Sequence, residues 1–380
     1  MKSKYRLLPK LLGLITLLSS VNPCFAHQNK NNTSAVLFAI GTTMTIGGSV
    51  ALYNFLNIKQ TDNPINDSVN KLVNKSVNKL NPDAIFSVAD FLKNDDSMKL
   101  YIENELPKVT NILKQQDALT ILDAKADVMV IGDIHGTTEA IEYLIPETYK
   151  FLNENKKNSV IILGDFIDKH DNESKDDSLK AALWFFNLVK LFPDRVRILR
   201  GNHESVKYGL SKSLEKYWCK NLEDCMNELP IACTIFHNNK KYFAVHGGID
   251  TRLEISKDYK KSNLKKIPLY SHGKEADNAI GSLEFQLMWN DFQYSGIPER
   301  KFCDKKTTLD FLNKYNYSAI LRGHDAYINP VLYGVVIVVH SVMFARDNFD
   351  LHARIAFLTN DGIKMKYYSD NIVKNIREFK

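Results

Sequence analysis

Gly132-Asp133-Ile134-His135-Gly136 opens the part of the sequence that decides the fold, and the apolar run Val128-Met129-Val130-Ile131 precedes it. Four more polar segments follow apolar runs in the same way: Gly164-Asp165-Phe166-Ile167-Asp168, Gly201-Asn202-His203-Glu204, His246-Gly247-Gly248 and Arg322-Gly323-His324. Short apolar runs rich in β-branched residues and bounded by glycine predict buried strands. Loops at strand ends then present the polar side chains from a rigid sheet. The five segments therefore predict a single site at strand ends.

The polar segments contain six oxygen or nitrogen donors: Asp133, His135, Asp165, Asn202, His246 and His324. This mixture suits manganese, iron or zinc better than the sulfur-rich sites that favour copper. One ion needs three or four ligands, so six donors predict two ions bridged by Asp165. Two ions about 3.5–4 Å apart can hold both the attacking and the leaving oxygen of a phosphoryl group. They also lower the pKa of a bridging water, which makes hydroxide available at neutral pH.

A proton donor for the leaving group is also present. His203 directly follows the predicted ligand Asn202 and is expected to face the same cavity. It is therefore the predicted general acid for the leaving alkoxide. Asp168 is placed to hydrogen-bond the His203 imidazole and fix its proton.

At these residues the chain resembles the PPP family of metal-dependent serine/threonine protein phosphatases. The segment from Trp218 to Ile231 resembles the helix that precedes the His-Gly-Gly strand of that family, and Leu287-Met288-Trp289-Asn290-Asp291 resembles its Leu-Leu-Trp-Ser-Asp motif. The resemblance runs from residue 81 to the C-terminus. It implies an α/β fold of the calcineurin-like metallophosphoesterase type, a central β-sandwich flanked by helices.

The resemblance also implies how the donors are shared between the ions. Asp133 and His135 would hold one ion together with Asp165. The second ion would be held by Asp165, Asn202, His246 and His324. The implied reaction is hydrolysis of phosphoserine or phosphothreonine by metal-activated hydroxide, without a covalent intermediate. His203 and Asp168 would form the acid dyad.

The chain departs from the family pattern at the phosphate-binding positions. The family has Arg-Gly where this chain has Lys169-His170. Lysine lacks the bidentate fork of arginine, so we expect a weaker or differently oriented phosphate contact at Lys169. Arg300 is the candidate for the second phosphate-binding arginine of the family, and Asn202 is a further phosphate contact. The Ser-Ala-Pro-Asn-Tyr-Cys loop of the family is replaced by Ser341-Val342-Met343-Phe344-Ala345-Arg346, which lacks the substrate-contacting tyrosine.

Two other functions stay open at the level of sequence. The first is hydrolysis of phosphotyrosine or of a small phosphoester such as a dinucleotide. An open groove would favour a protein substrate and a roofed pocket a small molecule. The second is a catalytically inactive protein that keeps the fold and binds partners, an alternative that rests on Lys169 and His170.

The charge distribution separates the N-terminus from the rest of the chain. The formal net charge is +6, and the first 60 residues carry six basic groups and no acidic group. The later residues therefore balance 44 basic against 44 acidic groups. Because non-specific nucleic-acid binding needs a strongly basic face, this balance argues against a nucleic-acid partner.

The N-terminal region has the pattern of a membrane-directed segment. Residues 1–26 combine a basic start, a short apolar core and Ala26 as a cleavage point, which is typical of a signal peptide or a first apolar segment. Residues 33–58 carry no charge and are long enough to cross a bilayer, although a buried helix is the alternative. If residues 33–58 span, the catalytic domain is anchored and faces the cytoplasm. If they do not, the enzyme is exported or secreted.

A linker and the catalytic domain complete the predicted organisation. Residues 59–81 include the four-residue repeat Ser68-Val-Asn-Lys-Leu-Val-Asn-Lys-Ser-Val-Asn-Lys79, and its asparagine content predicts a partly ordered linker. Residues 82–380 are long enough for one α/β domain with a full core. Within them, one face of a core helix is predicted for Trp184-Phe185-Phe186 together with Leu179, Leu183, Leu188 and Leu191. The expected partners are a phosphorylated protein and the membrane, and the sequence does not specify a regulatory subunit.

Overall fold

The computed structural model describes residues 95–168, 176–205, 212–269, 279–325, 330–342, 353–367 and 373–375. The chain divides into two compact units, Met1–Ser97 and Met98–Lys380, and almost all described residues belong to the second. The predicted signal segment, candidate span and linker (1–26, 33–58 and 59–81) lie outside the described residues, as do Lys169 and His170. Within the described part of the chain, no helix combines the length and apolar character needed to cross a membrane.

Helices and strands are interspersed along the described part of the chain up to β7, and strands alone follow it. The helices are α1 (Asp95–Asn104), α2 (Leu106–Lys114), α3 (Thr138–Glu154), α4 (Ser178–Leu191), α5 (Lys212–Glu215), α6 (Lys220–Asn227), α7 (Leu283–Trp289) and α8 (Lys305–Tyr315), with a 3-10 turn at His203–Ser205. The strands are β1 (Leu119–Asp123), β2 (Val128–Ile131), β3 (Ser159–Ile162), β4 (Val196–Ile198), β5 (Ala232–His237), β6 (Lys240–Val245), β7 (Ala319–Arg322), β8 (Val331–Leu332), β9 (Val336–Val338), β10 (Arg354–Thr359), β11 (Gly362–Tyr367) and β12 (Val373–Asn375).

The strands form two mixed sheets. The first sheet has the order β1-β5-β6-β7-β9-β8, and the second has the order β12-β11-β10-β2-β3-β4. In the second sheet, β2, β3 and β4 run parallel to one another, with Val128 opposite Ser159 and Val160 opposite Val196. In the first sheet, β6, β7 and β9 are also parallel. Parallel strands end at the same edge, so each sheet collects several strand ends at one place.

Alternating side chains of the strands build two apolar layers. Ala244 and Leu321 of the first sheet and Val130 and Ile161 of the second belong to one buried cluster, which fills the space between the sheets. A second cluster contains strand residues of β6 together with residues of α7 and α8, for example Phe243, Leu287 and Phe311. The period of two along a strand directs neighbours to opposite faces. The predicted β-sandwich flanked by helices is therefore confirmed.

Helix α4 confirms the predicted core helix between the second and third polar segments. Trp184, Phe185 and Phe186 are buried, and the Trp184 and Phe185 rings stack with centroids 4.3 Å apart. Leu191, at the last position of α4, was expected on the buried face but is 42% exposed. The helix ends there, and its last residue leaves the core while Leu188 and Val189 stay buried.

The two sheets meet at a backbone junction next to the site. Asp133, after β2, forms a parallel bridge with His340, after β9. The Ser341 amide donates to the carbonyl oxygen of Asp133 at 2.9 Å, and the Gly132 amide donates to Ser341 Oγ at 3.1 Å. A Cβ atom on Gly132 would lie 1.8 Å from the carbonyl oxygen of Val339, so only glycine permits this approach.

Candidate metal centre and active site

The structure brings all six predicted donors together at the adjoining strand ends. Asp133, Asp165 and Asn202 follow β2, β3 and β4 of the second sheet, while His246 and His324 follow β6 and β7 of the first. The other donor, His135, lies in the same loop as Asp133. All of these side chains are buried or nearly so. Each sheet therefore contributes part of the centre, as its parallel strand order requires.

One donor cluster surrounds the amide oxygen of Asn202. Asn202 Oδ1 lies 2.8 Å from His246 Nε2 and 2.9 Å from His324 Nδ1. Asp165 Oδ2 lies 3.2 Å from His246 Nε2. Two ligands that are each about 2.1 Å from one ion, at right-angled or tetrahedral geometry, stand roughly 3.0–3.4 Å apart. These four donors therefore have the spacing of ligands to a single ion.

A second donor cluster lies on the other side of Asp165. His135 Nε2 is 3.9 Å from Asp133 Oδ2 and 3.9 Å from Asp165 Oδ2. The largest separation that two ligands of one ion can have is about 4.2 Å, twice a bond of about 2.1 Å. Asp165 also belongs to two groups of donor atoms that lie within 4.8 Å of one another. One group contains His135 and His203, and the other contains His246 and His324. This is the position that a bridging carboxylate requires.

Hydrogen bonds fix the histidine tautomers that a metal needs. His135 Nδ1 lies 2.9 Å from the carbonyl oxygen of Asp168, and His246 Nδ1 lies 3.0 Å from that of Leu163. A carbonyl oxygen only accepts, so Nδ1 carries the proton in both rings. Nε2 of the neutral ring then carries the lone pair and faces the carboxylates.

The backbone of the site is held in an uncommon conformation. His135, Asp165, Asp168 and His324 all have positive φ angles, between 45° and 71°. Non-glycine residues rarely adopt this left-handed region, and strain of this kind concentrates at functional sites. The observation is independent of the donor distances and identifies three of the donor loops, those after β2, β3 and β7.

Electrostatics fit the same interpretation. Burial raises the pKa of Asp133 to about 7. Burial acts in the same direction on Asp165, but the neighbouring His246 and His203 outweigh it and hold its pKa well below the usual range. Burial lowers the pKa of His324, which favours the neutral ring that ligates metals. Buried carboxylates and imidazoles at these spacings fit two cations, which would compensate the buried charge.

The two residues of the predicted acid dyad are in contact. His203 Nδ1 lies 2.7 Å from Asp168 Oδ2, and His203 Nε2 lies 3.8 Å from Asp165 Oδ2. Burial alone would lower the pKa of the His203 imidazole, but Asp165 and Asp168 outweigh it and raise the pKa to about 9. The ring therefore holds a proton at neutral pH at the edge of the donor cluster.

Glu204 is a functional residue that the sequence analysis quoted without assigning a role. Its side chain is buried and accepts four backbone N–H groups, from Asp165 at 2.7 Å, Phe166 at 2.9 Å, Ile167 at 3.2 Å and Gly201 at 2.9 Å. These donors come from the loops after β3 and β4. Glu204 thus fixes the backbone of the Asn202 loop and that of the bridging Asp165, which lies 39 residues before Glu204 along the chain.

Arg300, the predicted phosphate contact, lies close to the donor cluster. Its Nη1 is 3.7 Å from Asp291 Oδ2, and its guanidinium lies 4.8 Å from the centroid of the Trp289 ring. Asp291 Oδ1 is in turn 3.5 Å from His324 Nε2. One carboxylate thus separates Arg300 from a predicted metal ligand. Arg322 is fully buried, and its Nη1 forms an ion pair with Asp325 Oδ2 at 2.9 Å. This contact indicates a structural role for Arg322.

His340 is a further residue that the sequence analysis missed. Its Nε2 lies 4.0 Å from Asp133 Oδ2. It follows the apolar run Val335-Val336-Ile337-Val338-Val339, which is one of the two signals that found the other donors. The run ends directly in histidine and lacks the glycine that marked the other five segments.

The sandwich and its two donor clusters have the arrangement of a metallophosphoesterase domain. The chain belongs to the calcineurin-like phosphoesterase family, whose model matches residues 126–327. It is 32% identical over 269 residues to serine/threonine-protein phosphatase 7 of Arabidopsis thaliana, covering 60% of this chain and 62% of that protein. It is 23% identical over 283 residues to serine/threonine-protein phosphatase rdgC of Drosophila melanogaster, covering 68% of this chain and 41% of that protein. The chain thus spans less than two thirds of these relatives.

A solved structure supports the fold. A protein serine/threonine phosphatase from Saccharomyces cerevisiae, with similarity to human phosphatase PP5, superimposes with a TM-score of 0.56 at 20% identity. The match covers 73% of this chain and 89% of that one. At this level of identity the likeness concerns the arrangement of sheets and helices.

Proposed function

We propose that this protein is a metal-dependent serine/threonine protein phosphatase that hydrolyses phosphomonoesters. The observation that carries the proposal is the pair of donor clusters that share Asp165, with the His203–Asp168 dyad beside them. Its similarity to serine/threonine-protein phosphatases of two organisms supports a phosphoprotein as substrate.

The donor set indicates which residues would hold the metals. Asp133 and His135 would hold one ion with Asp165, and Asp165, Asn202, His246 and His324 would hold the other. Nitrogen and oxygen donors favour manganese, with iron or zinc as alternatives. When bound, the two ions supply Lewis-acid activation of water and of the phosphoryl oxygens.

The remaining residues act on the substrate itself. His203 donates a proton from Nε2 to the leaving oxygen of the serine or threonine, because Nδ1 is engaged by Asp168 at 2.7 Å. Asp168 keeps the ring in this orientation. Arg300 and Asn202 contact the phosphate, and Lys169 adds a point charge in place of a bidentate grip.

Two experiments with purified protein test the proposal. Turnover of phosphoserine and phosphothreonine peptides is measured with and without added manganese, together with ions bound per chain. Asp165→Asn removes the shared carboxylate and should abolish metal-dependent turnover, and His203→Ala should retain metal but lose most activity. His237→Ala is the matched control, because His237 is buried at the opposite end of β5 from the strand ends that form the site.

The results also decide between the alternatives. Preferential turnover of phosphotyrosine or a dinucleotide would replace the protein serine/threonine substrate class. Wild-type protein that binds manganese but turns over none of these substrates would support an inactive binding protein. Full activity in both Asp165→Asn and His203→Ala would contradict the mechanism.

We further propose that residues 33–58 anchor the protein in a membrane with the catalytic domain on the cytoplasmic side. The support is the uncharged length of the segment and the basic residues before it. Protease digestion of sealed vesicles tests this: a catalytic domain accessible only from the predicted side supports the anchor. Recovery in the soluble exported fraction would support secretion instead.

A further inference from the structure

His340 lies beside the carboxylate that is predicted to hold the first ion. Its side chain is 7% exposed, and its Nε2 is 4.0 Å from Asp133 Oδ2. The predicted ligand His135 places its own Nε2 3.9 Å from the same oxygen. Both separations exceed hydrogen-bond length and fall within the roughly 4.2 Å that two ligands of one ion can span. By distance, His340 relates to Asp133 as a predicted ligand does.

The position of His340 is set by the backbone junction between the sheets. Residue 340 pairs with Asp133 in a parallel bridge, and its carbonyl oxygen accepts the Arg354 amide at 2.9 Å. The neighbouring Ser341 amide donates to the Asp133 carbonyl, and Ser341 Oγ donates to that of Arg354 at 2.9 Å. The backbone that carries the imidazole is therefore fixed by hydrogen bonds to the strand end that carries Asp133. A preorganised neighbour of this kind meets the requirement for a ligand held by rigid elements.

Without His340, the two donor clusters contain different numbers of protein donors. The cluster around Asn202 has four protein donors, whereas Asp133, His135 and Asp165 supply only three. A fourth imidazole donor would equalise the two sites. It would also make the first site richer in nitrogen, which favours iron or zinc over manganese.

We propose that His340 is a fourth protein ligand of the ion held by Asp133, His135 and Asp165. This inference rests on the proposed function in one respect, namely that the centre binds two ions. Its test therefore measures metal binding directly, apart from turnover.

The experiment compares the full-length wild type with His340→Phe and His340→Gln. Ions bound per chain are counted after titration with manganese, zinc and cobalt(II), and the visible absorption of the cobalt(II) form is recorded. We expect two ions in the wild type. In His340→Phe one ion should remain tightly bound while the other weakens by at least about tenfold, and the cobalt spectrum should change. His340→Gln keeps an amide oxygen and should retain more affinity than His340→Phe.

Two controls define the comparison. His237→Phe removes a buried imidazole away from the centre and should bind both ions as the wild type does. His135→Phe removes a predicted ligand of the same ion and should reproduce the loss. Thermal melting of the metal-free proteins identifies any variant that does not fold. If His340→Phe does not fold, the comparison with the wild type is made with His340→Gln.

The outcomes separate the inference from the function on which it rests. Two ions bound with wild-type affinity in both His340 variants would overturn the inference and leave the proposed function intact. Weakened binding with an unchanged cobalt spectrum would place His340 outside the coordination shell and would also overturn it. A wild type that binds no metal at all would instead contradict the proposed function.

Discussion

Asp168 Oδ2 lies 2.7 Å from Nδ1 of His203, and this contact directs Nε2 of the ring toward Asp165. The contact predicts that the loss of activity on removing His203 depends on the leaving group of the substrate. His203→Ala should lower kcat for a phosphoserine peptide by about 10²–10⁴-fold, because an alkoxide needs a proton to leave. The loss for an aryl phosphate should be much smaller, since a phenolate leaves unaided. Steady-state kinetics on both substrates measure this, and equal losses would show that His203 is not the proton donor.

The same pair predicts the basic limb of the pH profile. His203 acts in its protonated form, so activity should fall as pH rises through its pKa, which is about 9 without bound metal. Bound cations lower that pKa, so the limb should lie below pH 9. Asp168→Asn removes one of the carboxylates that raise the pKa and should shift the limb to lower pH. A profile of kcat against pH for both proteins tests this, and an unshifted limb would contradict it.

Glu204 predicts a large cost for a small substitution. In Glu204→Gln an NH₂ group would face backbone N–H donors, which leaves buried donors without an acceptor. We expect a loss of about 2–4 kcal/mol in the free energy of unfolding, together with weaker metal binding. Urea denaturation of the metal-free protein measures it. The exposed Glu139→Gln is the control and should stay within about 0.5 kcal/mol of the wild type; a similar value for Glu204→Gln would refute the positioning role.

Metal binding should release protons. Burial raises the pKa of Asp133 to about 7, and Asp165 outweighs burial to raise the pKa of His246. Both groups therefore hold protons at pH 6, whereas an ion needs a carboxylate and a neutral ring. Calorimetry of manganese binding in two buffers with different ionisation enthalpies should show net release at pH 6 that diminishes toward pH 9. Heats that do not depend on the buffer would rule this out.

Lys169→Arg tests the altered phosphate grip. Arginine restores a bidentate contact, so kcat/KM for a phosphopeptide should stay equal or rise. Lys156→Arg, on an exposed turn, should leave it unchanged. A large loss in Lys169→Arg alone would mean that the neighbouring loop is built around lysine.

The donors could be predicted from the sequence because one local rule places them: a buried strand, a turn and a polar side chain. That rule depends only on the order of residues near Asp133, Asp165, Asn202, His246 and His324. The role of Glu204 could not be predicted in this way. Three of its four partners lie in the loop after β3, up to 39 residues away, and all four are backbone groups without a sequence signature. The contact between Asp133 and His340 likewise depends on two sheets meeting, which no local pattern specifies.

Arg300 shows the same contrast between what the sequence indicates and what only the folded structure determines. The resemblance selected it as the arginine between two motifs, whereas its distance to the centre depends on Asp291 and on stacking over Trp289. The exposed end of α4 at Leu191 is a smaller case. Helical periodicity predicts which side of the helix is apolar, but only the packed structure shows where the helix leaves the core.

The division of donors between the two sheets has a consequence for the kinetic stability of the protein. Asp133, Asp165 and Asn202 come from one sheet, and His246 and His324 come from the other, so the complete centre exists only after the sandwich has closed. Ions that bind there stabilise the closed sandwich and must be released before the sheets separate. Protein with bound ions should therefore unfold far more slowly than metal-free protein. Removal of the ions by a chelator would shorten the lifetime of the protein in the presence of proteases, even with its strands unchanged.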